Sequence, residues 1–196
     1  VLHASQAFHL FGPIPLECEV ESRTRISALV DKGLGKPALI FTETELLDAQ
    51  GSCFARLDRT TFVRGGGGFG GSSVTPTTAP ISIPETAPDA IVDLTTRPEQ
   101  ALLYRLNGDF NPLHSDAAAA AKSGFDRPIL HGLCTMGVVT HALLRGGLDC
   151  RSDRLNSMGL KFASPVYPGE TIRTEIWETG AFRARVVERD ILVADQ

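Results

Sequence analysis

The chain has 196 residues, 42% of them hydrophobic and 21% charged, with a formal net charge of -4. That length allows one large domain or two small ones with ample core. A mildly acidic balance argues against a nucleic-acid protein, whose footprint is a basic surface. No run of about 18 apolar residues occurs, so no membrane span is expected.

Val1–Phe11 is short and half apolar, lacks the basic and apolar regions of a signal peptide, and ends at the breaker Gly12-Pro13-Ile14-Pro15. From Glu17 to Val30 apolar residues (Cys18, Val20, Ile26, Ala28, Val30) alternate with charged ones (Glu17, Glu19, Glu21, Arg23, Arg25). Period two predicts an antiparallel strand with one wet face. Asp31-Lys32-Gly33 supplies a turn. Ala38–Leu47 and Ser52–Val63 read as two more strands joined by the hairpin connection Asp48-Ala49-Gln50-Gly51. Residues 1–63 therefore read as consecutive strands with no helix to cover their apolar face.

Gly65–Gly71 follows, and residues 66–71 formally satisfy G-x-G-x-x-G. The dinucleotide motif must open a helix so that free N–H groups meet the pyrophosphate. Here it runs into Pro76, Pro80, Pro84 and Pro88, so it reads as a close-approach loop entering an extended linker, 72–98.

Thr95–Gln100 offers a threonine cap, Pro98 and Glu99 in a first turn, and Ala101–Leu106 a short helix. Gly108-Asp109-Phe110-Asn111-Pro112-Leu113-His114 is a polar loop whose proline forbids regular helix. Ser115-Asp116 caps the turn Ala117–Lys122, and Asp126-Arg127-Pro128 turns the chain again. His131–Arg145 reads as a long buried helix with no carboxylate, ended by Gly146-Gly147. Strands return at Arg154–Ala163, Glu170–Glu178, Phe182–Glu188 and Ile191–Ala194. The four cysteines, Cys18, Cys53, Cys134 and Cys150, are scattered without a C-x-x-C and read as reduced thiols of a cytosolic-type compartment.

Phe11–Pro15 before Glu17 resembles Phe162–Pro168 before Glu170, at an offset of about 152 residues. Two related units, each an antiparallel sheet curled on one helix, would explain the repeat. Moved back by that offset, the long helix falls before residue 1, so the first sheet is expected to lack its helix in this chain.

Asp109, Asn111 and His114 carry the chemistry-bearing groups; on their own, Asp and Asn beside a proline equally form a turn held by local side-chain bonds. Gly132 opens the long helix, where its N–H has no intrahelical acceptor and no Cβ keeps a ligand oxygen away. His131 reads as a cap or structural partner, and His141 as a packing residue. No H-E-x-x-H, other metal-ligand spacing or G-x-S-x-G elbow occurs, so neither a metal nor a serine-hydrolase site is expected.

Tyr104–His114, followed by Gly124–Thr135, resembles the signature of the R-specific (type-2, MaoC-like) enoyl-CoA hydratases, and the likeness continues more loosely over the whole chain. The resemblance implies an α+β, tandem hot-dog fold, with the antiparallel sheet wrapped around a long central helix. Residues 1–71 would be a non-catalytic, incomplete unit, 72–98 a Pro-rich linker, and 99–196 the catalytic unit. It implies hydration of trans-2-enoyl-CoA to (3R)-3-hydroxyacyl-CoA without a cofactor. Asp109 and His114 would activate the water and return a proton, Asn111 would help hold the water, and the Gly132 N–H would take the thioester oxygen. Arg64, Lys122, Arg127 and Lys161 are candidates for the CoA phosphates. The resemblance further implies a homodimer, peroxisomal in a eukaryote and cytoplasmic otherwise, with no nucleic-acid or membrane partner. Two alternatives stand beside it. A hot-dog acyl-CoA thioesterase would place Asp or Glu on the central helix; a non-catalytic acyl-CoA-binding subunit would need a partner chain.

Overall fold

The computed structural model describes residues 1–76 and 81–196, so four residues of the predicted linker, 77–80, lie outside the described residues. Its chain divides into two units, Val1–Pro80 with Asp153–Lys161, and Ile81–Ser152 with Phe162–Gln196.

The first unit is all strand: β1 (Leu2–Leu10), β2 (Glu21–Asp31), β3 (Ala38–Leu47), β4 (Cys53–Val63) and, from the far end of the sequence, β6 (Ser157–Phe162). These order β2-β3-β4-β1-β6, and every pairing is antiparallel. β1 falls within residues 1–63, read above as consecutive strands, although Val1–Phe11 shows no clean alternation of its own. Its apolar alternation is broken at Gln6 and its register slips between His3 and Ser5, which blurs the period. β2 begins at Glu21, four residues later than the alternation predicts, and buries little, with Ile26 62% exposed. What holds its outer end are cross-strand pairs with β3, Arg25 to Glu43 and Thr24 to Thr44. Among the described residues this unit has no α-helix.

Asp31, at the end of β2, organises the glycine loop. Its carboxylate accepts the backbone N–H groups of Gly33, Gly68 and Gly70 at 2.7–2.8 Å. Those bonds hold its pKa down at about 2. A Cβ on Gly67 would lie 2.5 Å from the Gly33 carbonyl oxygen, so only glycine lets the two stretches of chain meet. The glycine run is thus a wrap around one carboxylate, not a phosphate cradle.

In the second unit, β5 (Ala90–Thr95), β7 (Thr171–Ile176), β8 (Phe182–Val186) and β9 (Ile191–Asp195) order β9-β8-β7-β5, and all three pairings are antiparallel. β5 lies inside the segment predicted as linker. Its β-branched Ile91, Val92 and Thr95 and the Arg173–Asp93 pair to β7 outweigh the prolines before it. α1 (Gln100–Tyr104) is shorter than predicted, and no threonine caps it: Thr96 is committed elsewhere, donating to the Glu170 carbonyl and accepting from Gly169 N–H. α2 (Ala117–Lys122) is capped by Asp116, as its sequence predicts.

The long helix α3 (Gly132–Gly147) packs on β5 and β7 through Thr135, Val139, Ala142 and Leu143, which share one face. Ile172, Phe182, Val186 and Val193 complete a core that excludes water almost entirely. Burial of each such side chain contributes about 1.5–3 kcal/mol. Of the two segments of the predicted repeat, Phe11–Pro15 lies between β1 and β2, and Phe162–Pro168 runs from the last residue of β6 toward β7.

Candidate active site

The site is assembled by the stretch from α1 to the start of α3. After α1 the chain tightens into a 3-10 turn, Arg105–Asn107, ended by Gly108 in the left-handed region at φ 98°. Asp109 follows, half-exposed, and its Oδ1 accepts the Asn111 N–H at 3.1 Å. Asn111 caps the next 3-10 turn, Pro112–His114, accepting the Leu113 N–H at 3.1 Å. Leu113 is buried beneath the turn and anchors it. The turn-forming and the chemical readings of this loop are therefore not alternatives. The local bonds aim the side chains.

His114 is half-buried, and its Nδ1 donates to the Ile129 carbonyl at 2.8 Å. With the proton fixed on Nδ1, Nε2 carries the lone pair and can act as a base. Its ring stacks on that of His131, centroids 3.7 Å apart, and Tyr104 closes the other side at 4.6 Å from His131.

His131 immediately precedes α3 but makes no cap hydrogen bond. It is 2% exposed, and neither ring nitrogen has a hydrogen-bond partner. Asp109 comes near in two ways, with Oδ2 4.0 Å from Nε2 and its backbone close enough to oppose the fall in pKa, yet neither contact has hydrogen-bond geometry. Burial first, and then the neighbouring His114, push the His131 pKa down to about 4. Burial likewise raises the Tyr104 hydroxyl and the Cys134 thiol, so each stays protonated at neutral pH.

Donor atoms of Asp109, His114 and His131 all lie within 4.8 Å of one another. One carboxylate and two imidazoles are a donor set that zinc accepts. Tetrahedral zinc needs its donors about 3.4 Å apart, and Asp109 and His131 are wider than that at 4.0 Å. The spacing suits a hydrogen-bonded oxygen better than a metal.

Gly132 is the first residue of α3, so its N–H has no intrahelical acceptor and lies at the positive end of a 16-residue helix. An added Cβ would press on the Phe162 ring at 3.1–3.3 Å. The approach to it is set by Leu130, whose N–H donates to the Val166 carbonyl at 2.7 Å. Val166 is held in turn by a clasp: Arg189 binds the buried Glu170 carboxylate and the Pro165 carbonyl, and Glu170 accepts the Tyr167 N–H.

The loop and helix bring Asp109, Asn111, His114 and Gly132 into one stretch of the second unit. Of the four basic candidates, Lys122 and Arg127 belong to that unit and Arg64 and Lys161 to the first; all are exposed. The Arg127 guanidinium lies over the Tyr167 ring at 4.7 Å. The residue that sequence reasoning undervalued is His131. Its signal was present: a histidine amid Ile129, Leu130 and Leu133 is a buried imidazole, and histidine is not a favoured N-cap.

Comparison with known proteins agrees with this geometry. The MaoC like domain matches residues 80–195, and the MFE-2 hydratase 2 N-terminal domain matches residues 1–65. A MaoC-like dehydratase from Phytophthora capsici superposes with a TM-score of 0.90 at 37% identity, over 99% of this chain and 69% of that one. The chain belongs to the MaoC-like family, and its fold is the hot dog. The 3-hydroxyacyl-thioester dehydratase Y of Mycobacterium tuberculosis is 43% identical over 94% of this chain and 64% of its own. The peroxisomal enoyl-CoA hydratase 2 of Arabidopsis thaliana is 36% identical over 97% of this chain and 65% of its own. The chain thus spans just under two thirds of the length of these two relatives.

Proposed function

We propose that this protein reversibly hydrates trans-2-enoyl-CoA to (3R)-3-hydroxyacyl-CoA in fatty-acid metabolism. The observation that carries the reading is the convergence of Asp109 and His114, within 4.8 Å, beside a helix that opens with Gly132. The names of the dehydratase and hydratase relatives support it.

In the forward direction the water oxygen bonds to C3 while the Asp109–His114 pair accepts one of its protons. The π electrons of the C2–C3 bond move toward the thioester, building enolate charge on its oxygen. The Gly132 N–H, at the helix end, stabilises that charge as it develops. A proton then passes from the pair to C2, and no electrons are gained or lost. A carboxylate beside an imidazole whose tautomer is fixed meets the need for both a base and an acid near neutral pH. Asn111 helps hold the water, and its backbone N–H holds the Asp109 carboxylate in place. The reaction needs no cofactor.

In this reading residues 99–196 are the catalytic unit, 1–71 a non-catalytic one that accommodates the acyl chain, and Arg64, Lys122, Arg127 and Lys161 meet the CoA phosphates. The active form is a homodimer, peroxisomal in a eukaryote and cytoplasmic otherwise. No helix among the described residues is long and apolar enough to cross a membrane. The thioesterase alternative lacks its carboxylate, because α3 contains neither Asp nor Glu. The test is loss of the conjugated enoyl-thioester absorbance across chain lengths, with the chirality of the product determined. No loss at any chain length, or an (S)-alcohol, overturns the reading.

A further inference from the structure

We propose that Glu170 is a positioning residue for His114, reaching its imidazole through two peptide groups, Val166–Tyr167 and Ile129–Leu130. The inference rests on the hydratase reading and adds to it a residue outside the Asp109–His114 pair.

Three observations carry it. The first is a continuous line of hydrogen bonds. The Tyr167 N–H donates to Glu170 Oε2 at 2.7 Å. The carbonyl of that same peptide group, on Val166, accepts the Leu130 N–H at 2.7 Å. The carbonyl of the Leu130 peptide group, on Ile129, accepts the His114 Nδ1–H at 2.8 Å. A trans peptide is planar, with its N–H and C=O pointing opposite ways, so fixing one end of each group fixes the other. All three bonds are shorter than the usual N–H···O length of about 2.9–3.0 Å.

The second is how firmly the far end is tied. Glu170 is 6% exposed, and Arg189 forks onto both its carboxylate oxygens, with a further bond to the Pro165 carbonyl. The Glu170 backbone is held from the other side, its carbonyl accepting the Thr96 N–H at 3.0 Å and the Thr96 hydroxyl at 2.8 Å. Val166 and Leu130, midway along the line, are buried, so water does not compete for the bond between them. A buried ion pair rarely gives more stability than apolar side chains of the same volume. What this one supplies is direction, since its bonds fall on the turn that meets Leu130.

The third is the sign of the line. A carboxylate that accepts from a peptide N–H makes the carbonyl of that peptide a stronger acceptor, and each bond strengthens the next. At the other end the imidazole gains positive charge when Nε2 takes a proton from the water. A negative group at the far end supports that charge and beforehand keeps the proton on Nδ1, the task of the third group that orients a catalytic base. Without Glu170 the Val166–Tyr167 peptide can turn, and the Ile129 carbonyl with it. His114 is then free to carry its proton on Nε2, where it cannot accept one from water.

The test is made on the full chain with Glu170→Gln and Glu170→Ala. Two signals are read: turnover by the enoyl-thioester absorbance, well below each melting temperature, and the imidazole nitrogen resonances of His114. The Gln variant can still accept the Tyr167 N–H but carries no charge, whereas the Ala variant accepts nothing. The Ala variant is expected to lose about 10- to 100-fold in kcat with KM for the enoyl-CoA unchanged, and its His114 to become a mixture of tautomers. The Gln variant should fall between it and the wild type in both signals. A folded Ala variant that keeps its kcat, or that loses kcat while His114 stays in the Nδ1–H form, overturns the proposal. So does a lowered melting temperature with both signals unchanged, the mark of a clasp that is only structural. The wild-type chain tests it without any variant, because a His114 found in the Nε2–H form breaks the line of bonds and overturns it. A wild-type chain with His114 locked as Nδ1–H that hydrates no enoyl-CoA instead overturns the hydratase reading.

Discussion

At the proposed site, a single charge, ring or methyl group is expected to decide turnover. Asp109→Asn keeps the shape of the Asx turn but removes the carboxylate charge, and His114→Gln removes the imidazole. Each is expected to lower hydration of an enoyl-CoA by about 10²–10⁴-fold with an unchanged far-ultraviolet spectrum. Substantial retained turnover in the Asn variant would remove Asp109 from the role given to it. Gly132→Ala adds one methyl against the Phe162 ring and beside the N–H that meets the developing charge. Alanine keeps the N–H but shifts it or the ring, so kcat should fall by less than about 10²–10³-fold, the cost of losing such a donor outright. His131 gives a stability signature as well. The unfolded chain takes up that proton near pH 6.5, whereas the folded protein resists it until about pH 4. Across that window the unfolded state binds more protons, so stability falls as the pH falls. Melting curves should show this acid weakening, and His131→Phe should flatten it.

Among the elements, the glycine loop makes the sharpest structural prediction. The Asp31 pKa is held at about 2, so its contribution is complete above the unfolded value of 3.8 and is lost as the pH falls toward 2. Asp31→Asn should leave turnover in the second unit intact while amide exchange at Gly68 and Gly70 accelerates at neutral pH. Unchanged exchange would show that the loop holds itself without the carboxylate. Such a nest was not legible in the sequence. The run Gly65–Gly71 announces close approach but not what is approached, and Asp31 lies more than thirty residues away. The strands with clean period-two patterns and the carboxylate-free helix were legible, because one-sided burial writes itself into the spacing of apolar residues. β5 was not, and β1 showed no clean alternation. One follows a proline cluster, the other is half-buried on both faces, and in both the neighbouring strand decides more than the local pattern.

For the molecule as a whole, the candidate site was read from one contiguous stretch, 109–132, because the groups that act together are close in sequence. What escaped was the stacking of Tyr104, His131 and His114, which depends on how a loop folds back onto a helix start and has no signature in spacing. On the proposed reading, the CoA phosphates meet exposed basic residues, of which Lys122 and Arg127 lie in the second unit. Lys122→Glu and Arg127→Glu are each expected to raise KM for CoA thioesters by about 2–5-fold at low salt, with kcat unchanged and the effect fading as salt is added. Invariant KM across both variants would move the phosphates elsewhere.

Residues 129–132 have a consequence for how this protein can change. In four successive positions the backbone fixes the His114 tautomer through the Ile129 carbonyl, ties itself to Val166 through the Leu130 N–H, seats the His131 ring and presents the Gly132 N–H. One short segment is therefore a jig on which the basicity of one group and the reach of another are cut together. A one-residue insertion or deletion there would put the tautomer lock, the anchor and the charge-stabilising N–H out of register at a stroke. On the hydratase reading, tuning toward other acyl chains would come from outside the segment, where side chains can vary one at a time.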